Sequence, residues 1–225
     1  MTDSALKADV PAPWTLHGVG YILAIRMPRD LLDNESNIPP SLAGQRKGPI
    51  ACVMLVDYAQ SNAGPYRELL YIPGLFRFPG AIRPSITRIY VSTMTSVMNG
   101  RKNWGIPKDR CDFDIRYGAD GIDHFTMQAE DGTVFAEFSF RHKGFQIPIN
   151  TRLIPKAFHT FSQHWEGTEY TYTLEAKGRV KPAKLLSARF NPDYFPDLAR
   201  GKVLACVKAT QFEMVFPVSK TRPLT

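Results

Sequence analysis

The chain has 225 residues, 44% of them hydrophobic and 22% charged, enough to bury a sizeable core in one domain. Its formal net charge of +7 comes from basic residues that are scattered rather than gathered into runs, which speaks against a nucleic-acid or membrane partner. Cys52, Cys111 and Cys206 are too few and too far apart for a disulfide framework or a paired zinc motif, and no apolar run approaches the roughly 20 residues that span a bilayer. A single cytoplasmic domain covering 1–225 is the expectation.

Residues 1–14 are polar and proline-bearing, lack the pattern of a signal peptide, and read as a flexible arm. Alternating and β-branched runs then predict strands over 19–26, 50–58, 67–71, 86–95, 122–129, 133–142, 169–177, 184–190 and 203–216. Short helices are predicted over 28–34, 95–99 and 192–200, the last capped by Asn191 and stopped by Gly201. The segment 34–48, rich in Pro, Gly and Ser, reads as a surface loop, and Glu130-Asp131-Gly132 as a hairpin turn. Beyond that turn, Val134, Ala136, Phe138 and Phe140 share one strand face. Lys177, Arg179, Lys181 and Lys184, with Gly178 and Pro182 among them, read as a solvated turn between strands. So many strands with so few helices must close on themselves or pack face to face, an arrangement able to enclose an apolar cavity.

Two segments carry chemistry. In Gly100-Arg101-Lys102-Asn103-Trp104-Gly105-Ile106-Pro107-Lys108, a lysine follows a proline in apolar surroundings. An ordinary lysine, with a pKa of about 10.4, offers only about one free amine in 2,500 at neutral pH, and the free amine is the species that attacks a carbonyl. Desolvation by Trp104, Ile106 and Pro107 favours that species and suits a Schiff-base lysine, although the same residues also suit an exposed turn. In Gly64-Pro65-Tyr66-Arg67-Glu68-Leu69-Leu70, Glu68 opens an apolar run and faces either a pocket or water. Inside a pocket, a carboxylate opposite an amine moves protons and steadies a developing iminium. Cys52 and Cys206 sit in apolar runs, whereas Cys111, three residues past Lys108, is placed to line the same site. His159 and His164 are five apart and fall on different faces of a helix, and His17, His124 and His142 stand alone as structural histidines. Nucleotide-binding, serine-hydrolase and zinc-protease motifs are absent, and no metal site is expected.

Taken together, the two segments resemble the acetoacetate decarboxylase family. Members carry a Gly-Arg-Glu-x-Trp-Gly-aromatic-Pro-Lys stretch matched by Gly100 to Lys108, and a Gly-x-Tyr-x-Glu segment matched by Gly64 to Glu68. Weaker similarity runs from the strand ending at Arg26 to Phe140-Arg141-His142-Lys143-Gly144. The resemblance implies a mainly β fold with a few short helices, an antiparallel β-cone or closed barrel-like double sheet around an apolar cavity. It also implies a cofactor-free lyase in which Lys108 forms the Schiff base with a small-molecule β-keto acid or related ketone and Glu68 handles protons. Arg101, Tyr66, Trp104 and Arg26 are the candidate substrate-binding residues, and a homo-oligomer is expected. Two departures stand out. Asp109 occupies the position where the decarboxylase proper has a second lysine, and His17 or Gly18 the position of an arginine near its N-terminus. These departures open the alternative of a Schiff-base aldolase, dehydratase or cyclase acting on a larger ketone in secondary metabolism. A third reading, from composition alone, is a β-cavity protein that binds an apolar molecule without reaction.

Overall fold

The structure, a computed structural model, describes residues 9–224. The chain begins with a long strand β1 (Trp14–Arg26), a short helix α1 (Arg29–Asn34) and the two-residue β2 (Arg46–Lys47). A hairpin of β3 (Ile50–Gln60) and β4 (Tyr66–Ile72) is followed by a smaller one, β5 (Leu75–Phe78) and β6 (Ala81–Pro84). Next come β7 (Arg88–Val91), helix α2 (Met94–Trp104) and β8 (Lys108–Arg110), then β9 (Asp112–Tyr117), β10 (Ile122–Gln128) and β11 (Val134–His142). The last third holds β12 (Ile147–Asn150), β13 (Thr160–Trp165), β14 (Thr168–Thr173), β15 (Glu175–Phe190), β16 (Lys202–Phe216) and β17 (Lys220–Pro223).

The main sheet runs in the order β8-β7-β4-β3-β1-β16-β15-β11-β10-β9, with β12 added on β15. Its two edge strands, β8 and β9, are consecutive in the chain and separated only by Cys111, so the sheet comes nearly closed and barrel-like. Its pairs are antiparallel except β7 with β8, which α2 connects as a crossover because parallel neighbours need a long connection.

Directly paired residues present their side chains to the same face, and this register divides the sheet into two apolar sides. Tyr58 and Val56 on β3, Tyr66, Glu68 and Leu70 on β4, Ile89 and Val91 on β7, and Lys108 on β8 share one face, which α2 covers with Val97 and Trp104. Tyr21, Leu55, Leu69, Tyr90 and Asp109 lie on the other, where the apolar core also takes in Cys111, Phe125 and Phe140. β4 is therefore covered on both sides, and five of its seven residues in a row, from Glu68 to Ile72, are buried.

Four expectations are corrected. Helix α2 is eleven residues long and runs through Gly100 to Trp104, so the strand predicted over 86–95 shrinks to β7. Thr93 caps its start by accepting from Ser96 N, Arg101 and Lys102 sit in the last turn where cations suit the helix dipole, and Gly105 ends it in the left-handed region (φ 62°). The basic stretch from Lys177 to Lys184 lies inside the continuous 16-residue β15. Pro182 is tolerated there because its carbonyl accepts from Lys143 N, which turns its nitrogen towards the gap between β12 and β11, where no ladder bond is lost. The helix predicted over 192–200 reduces to a 3-10 turn at Leu198–Arg200, since Pro196 forbids a continuous helix. Of the arm predicted over 1–14, residues 1–8 lie outside the described residues. The rest is anchored: Val10 N donates to Asn99 Oδ1 at 2.8 Å, and Trp14 is buried at the start of β1.

Candidate active site

Lys108 and Glu68 meet in the core, although 40 residues separate them in sequence. The hairpin places Glu68 opposite Val91, the crossover places Lys108 opposite Ile89, and both side chains emerge under α2. The Lys108 ammonium donates to Glu68 Oε2 at 2.9 Å, and the two side chains are 4% and 3% exposed. A second proton goes to Ser96 Oγ at 3.1 Å, and the nitrogen lies 5.1 Å from the centre of the Tyr66 ring. Tyr58 donates its phenol to Glu68 Oε1 at 3.2 Å, so each carboxylate oxygen has a donor. Burial pushes the Tyr58 and Tyr66 phenols well above their ordinary range, and the Glu68 charge adds to the effect. Both phenols stay protonated and available as donors.

The helix makes room for the lysine. A Cβ on Gly100 would stand 2.6 Å from Lys108 Cδ and 2.7 Å from Cε, closer than packed atoms come. Ser96 lies one turn earlier on the same helix face, so α2 presents two small residues to the lysine at a spacing of four.

Asp109 points the other way, as alternation along β8 requires. It accepts from Arg88 at 3.0 Å and from Arg101 at 2.8 Å, and so does not meet the Lys108 amine. Arg101 is thereby drawn away from the site, with its guanidinium also over the Trp165 ring at 5.4 Å. Trp104 belongs to the same apolar core as Tyr66, but its indole donates to Pro217 O at 2.7 Å and its ring packs on Trp14. Arg26 is exposed at the far end of β1, six positions from Gly20, whose β3 partner Val56 pairs with Glu68; at about 3.3 Å per residue it stands roughly 20 Å along the strand. Cys111 lies in the core on the opposite face, not beside Lys108, and burial pushes its thiol pKa up.

Of the sequence candidates, the structure brings together Lys108, Glu68 and Tyr66 and leaves Arg101 and Arg26 outside their contacts. Tyr58 and Ser96 were not among the candidates. The short loop from Ser61 to Pro65 would have signalled Tyr58 by fixing the hairpin register, since Tyr58 pairs with Tyr66. The spacing of Ser96 and Gly100 would have signalled the other, had the helix been drawn long enough. Among the described residues, no cluster of three or more His, Cys, Asp or Glu side chains is arranged to hold a metal ion, and no helix is long and apolar enough to cross a membrane.

No protein-family model matches the chain, and no curated protein matches its sequence. Its architecture is nonetheless that of acetoacetate decarboxylase and related enzymes. Acetoacetate decarboxylase from Legionella pneumophila superposes with a TM-score of 0.71 at 13% identity, over 98% of this chain and 91% of the other. An acetoacetate decarboxylase-like enzyme from Sphingomonas wittichii RW1 gives 0.67 at 12% identity, over 100% and 98%. The enduracididine biosynthesis enzyme MppR gives 0.62 at 15% identity, over 96% and 88%. At these identities the likeness establishes the fold.

Proposed function

We propose that the chain is a cofactor-free, acetoacetate-decarboxylase-like lyase that activates a keto compound by forming an iminium on Lys108. The observation that carries this reading is the buried contact between Lys108 Nζ and Glu68 Oε2 at 2.9 Å. An ammonium is not a nucleophile, and Glu68 is the base in contact with it. Transfer of one proton leaves a free amine beside a carboxylic acid. The amine lone pair attacks the carbonyl carbon, one N–H proton passes to the resulting alkoxide, and the protonated Glu68 then returns its proton to that hydroxyl as it leaves as water. The iminium carries the charge that the ammonium had, and the Glu68 carboxylate that has given up its proton balances it again.

The iminium withdraws electrons from the neighbouring bond. In a β-keto acid the bond to the carboxylate breaks and carbon dioxide leaves. In a larger ketone a C–H or C–C bond breaks and the same enamine results. The enamine carbon then takes a proton through Glu68, the one removed from a C–H bond or, where carbon dioxide has left, one that Glu68 takes up from solvent, and hydrolysis frees the lysine. Ser96 and the Tyr66 ring support the nitrogen from the sides that Glu68 leaves open. The structural neighbours lend support to carbonyl chemistry in this fold, because MppR is seen with pyruvate and with the condensation product of pyruvate and imidazole 4-carboxaldehyde.

The test is to incubate the protein with a panel of β-keto acids, β-diketones and aldehyde–ketone mixtures while following carbonyl loss by NMR and gas release in parallel. Consumption by the wild type that disappears in Lys108→Ala is the expected result. Equal consumption by both proteins, or none with any compound, contradicts the proposal.

A further inference from the structure

We infer that the carbonyl compound taken up by Lys108 is uncharged, a ketone, β-diketone or β-keto ester rather than a keto acid. The inference rests on the Schiff-base reading above and specifies its substrate. Among the described residues, the groups touching the Lys108 nitrogen are neutral or acidic: the Glu68 carboxylate, the Ser96 hydroxyl and the Tyr66 ring. Glu68 in turn is held by Tyr58 and Lys108, and among the described residues no second cation reaches either partner.

The arginines on the surrounding segments are committed elsewhere. Arg67, next to Glu68, turns to Asp57 at 3.5 Å. Arg88 and Arg101 both hold Asp109 on the opposite face. Arg110, two residues past Lys108 on the same strand, is paired with Asp112 at 2.7 Å and Glu130 at 3.6 Å. Strand alternation already turns Arg88 to that face, and Asp109 adds to this by holding the Arg101 guanidinium away from the amine.

A substrate carboxylate would enter a desolvated site that already holds one carboxylate for one cation. It would lose its water without gaining a partner and would be repelled by Glu68. A neutral carbonyl compound meets neither obstacle. Lys108 attacks its carbonyl carbon, water carries off the oxygen, and the iminium is neutralised by Glu68. The α-carbon then gives its proton to Glu68. The electrons of the C–H bond form the enamine double bond, and the iminium π pair returns to nitrogen. The enamine carbon is a nucleophile, so the reaction that follows is carbon–carbon bond formation or its reverse and releases no carbon dioxide.

The experiment compares acetoacetate with its uncharged methyl ester, which has the same reacting skeleton. Each is incubated with the full chain and cyanoborohydride, and labelling of the Lys108 peptide is measured by mass spectrometry, counting the acetoacetate adduct together with its decarboxylated form. Rates are divided by those of Nα-acetyl-lysine under the same conditions, which removes the difference in intrinsic reactivity. The ester is expected to label Lys108 at least about tenfold faster than the acid, and Glu68→Gln to narrow that gap. Equal or faster labelling by the acid overturns the inference while leaving the Schiff-base reading intact, and an unchanged gap in Glu68→Gln overturns its electrostatic basis. Absence of any Lys108 adduct with either compound overturns the Schiff-base reading and the inference with it.

Discussion

Two lysines, Lys108 buried and Lys208 half-buried, face carboxylates on opposite sides of the same sheet, and they are built differently. Lys208 on β16 contacts Asp123 on β10, approaches His142 at 3.0 Å, and lies 5.6 and 5.1 Å from the Tyr21 and Tyr117 rings. Burial alone would raise the Asp123 carboxyl. The hydrogen bonds from Lys208 and Tyr21, with the Lys208 and His142 charges, outweigh it and hold the group below its ordinary value. Lys208 thus sits in a caged ion pair, between the Asp123 carboxylate and two aromatic rings. Glu68 has the Tyr58 and Tyr66 phenols and the amine around it, and Lys108 rests against Gly100 and Ser96 instead of between two aromatic rings. Burial beside a carboxylate is common to both pairs. What sets Lys108 apart is the small-residue helix face beside it.

The largest way to break this comparison is Lys108→Ala, which is expected to reduce carbonyl turnover by roughly a thousandfold or more, whereas Lys208→Met leaves kcat within about twofold. Either change strands a buried carboxylate, so thermal denaturation should register a loss of about 3–5 kcal/mol for each if the partner stays charged. Next in size is Glu68→Gln, with turnover expected to fall about a hundredfold or more through loss of the base, while circular dichroism shows the fold retained. Gly100→Ala presses a methyl group into the lysine chain and is expected to cost about 1–3 kcal/mol of stability together with a slower reaction. The mildest is Tyr58→Phe, which removes one donor from Glu68 and costs about 1 kcal/mol.

Acid distinguishes the two regions in another way. Because the Asp123 pKa is lowered in the folded state, its contribution is complete above the unfolded value of about 4 and is lost as pH falls through the lower folded value. Glu169 behaves likewise through its pairing with Arg222 and His164, against the opposing effect of burial. Thermal melts between pH 5 and pH 2 should therefore show stability falling below about pH 4, with a shallower fall in Asp123→Asn. An unchanged slope in that variant would remove Asp123 from the account.

The strand-rich architecture was readable because β-branched alternation is a local signal, and the Glu130-Asp131-Gly132 turn fixed the β10–β11 hairpin, in which Ile122 pairs with Arg141. Val134 escaped the buried face its spacing assigned, since a register shift between Met127 and Gln128 leaves it exposed. The helix predicted over 95–99 stops short of Gly100, and glycine is a weak helix former. Its tolerance comes from Lys108 packing against it, a contact that only the fold creates. The same limit applies to the site. Lys108 and Glu68 stood in recognisable segments, but the engagement of Arg101 and Arg88 by Asp109 depends on strand alternation together with the closeness of α2 to the β8 edge. Pro182 gave a turn signal whose meaning was reversed by the gap between β12 and β11.

The most direct measurement is a reductive labelling of the whole protein with a reactive ketone, quantifying adducts on the Lys108 and Lys208 peptides from one digest. The account predicts adduct on Lys108 and only background on Lys208. Adduct on Lys208, or labelling spread over the exposed lysines with Lys108 unmodified, would contradict it.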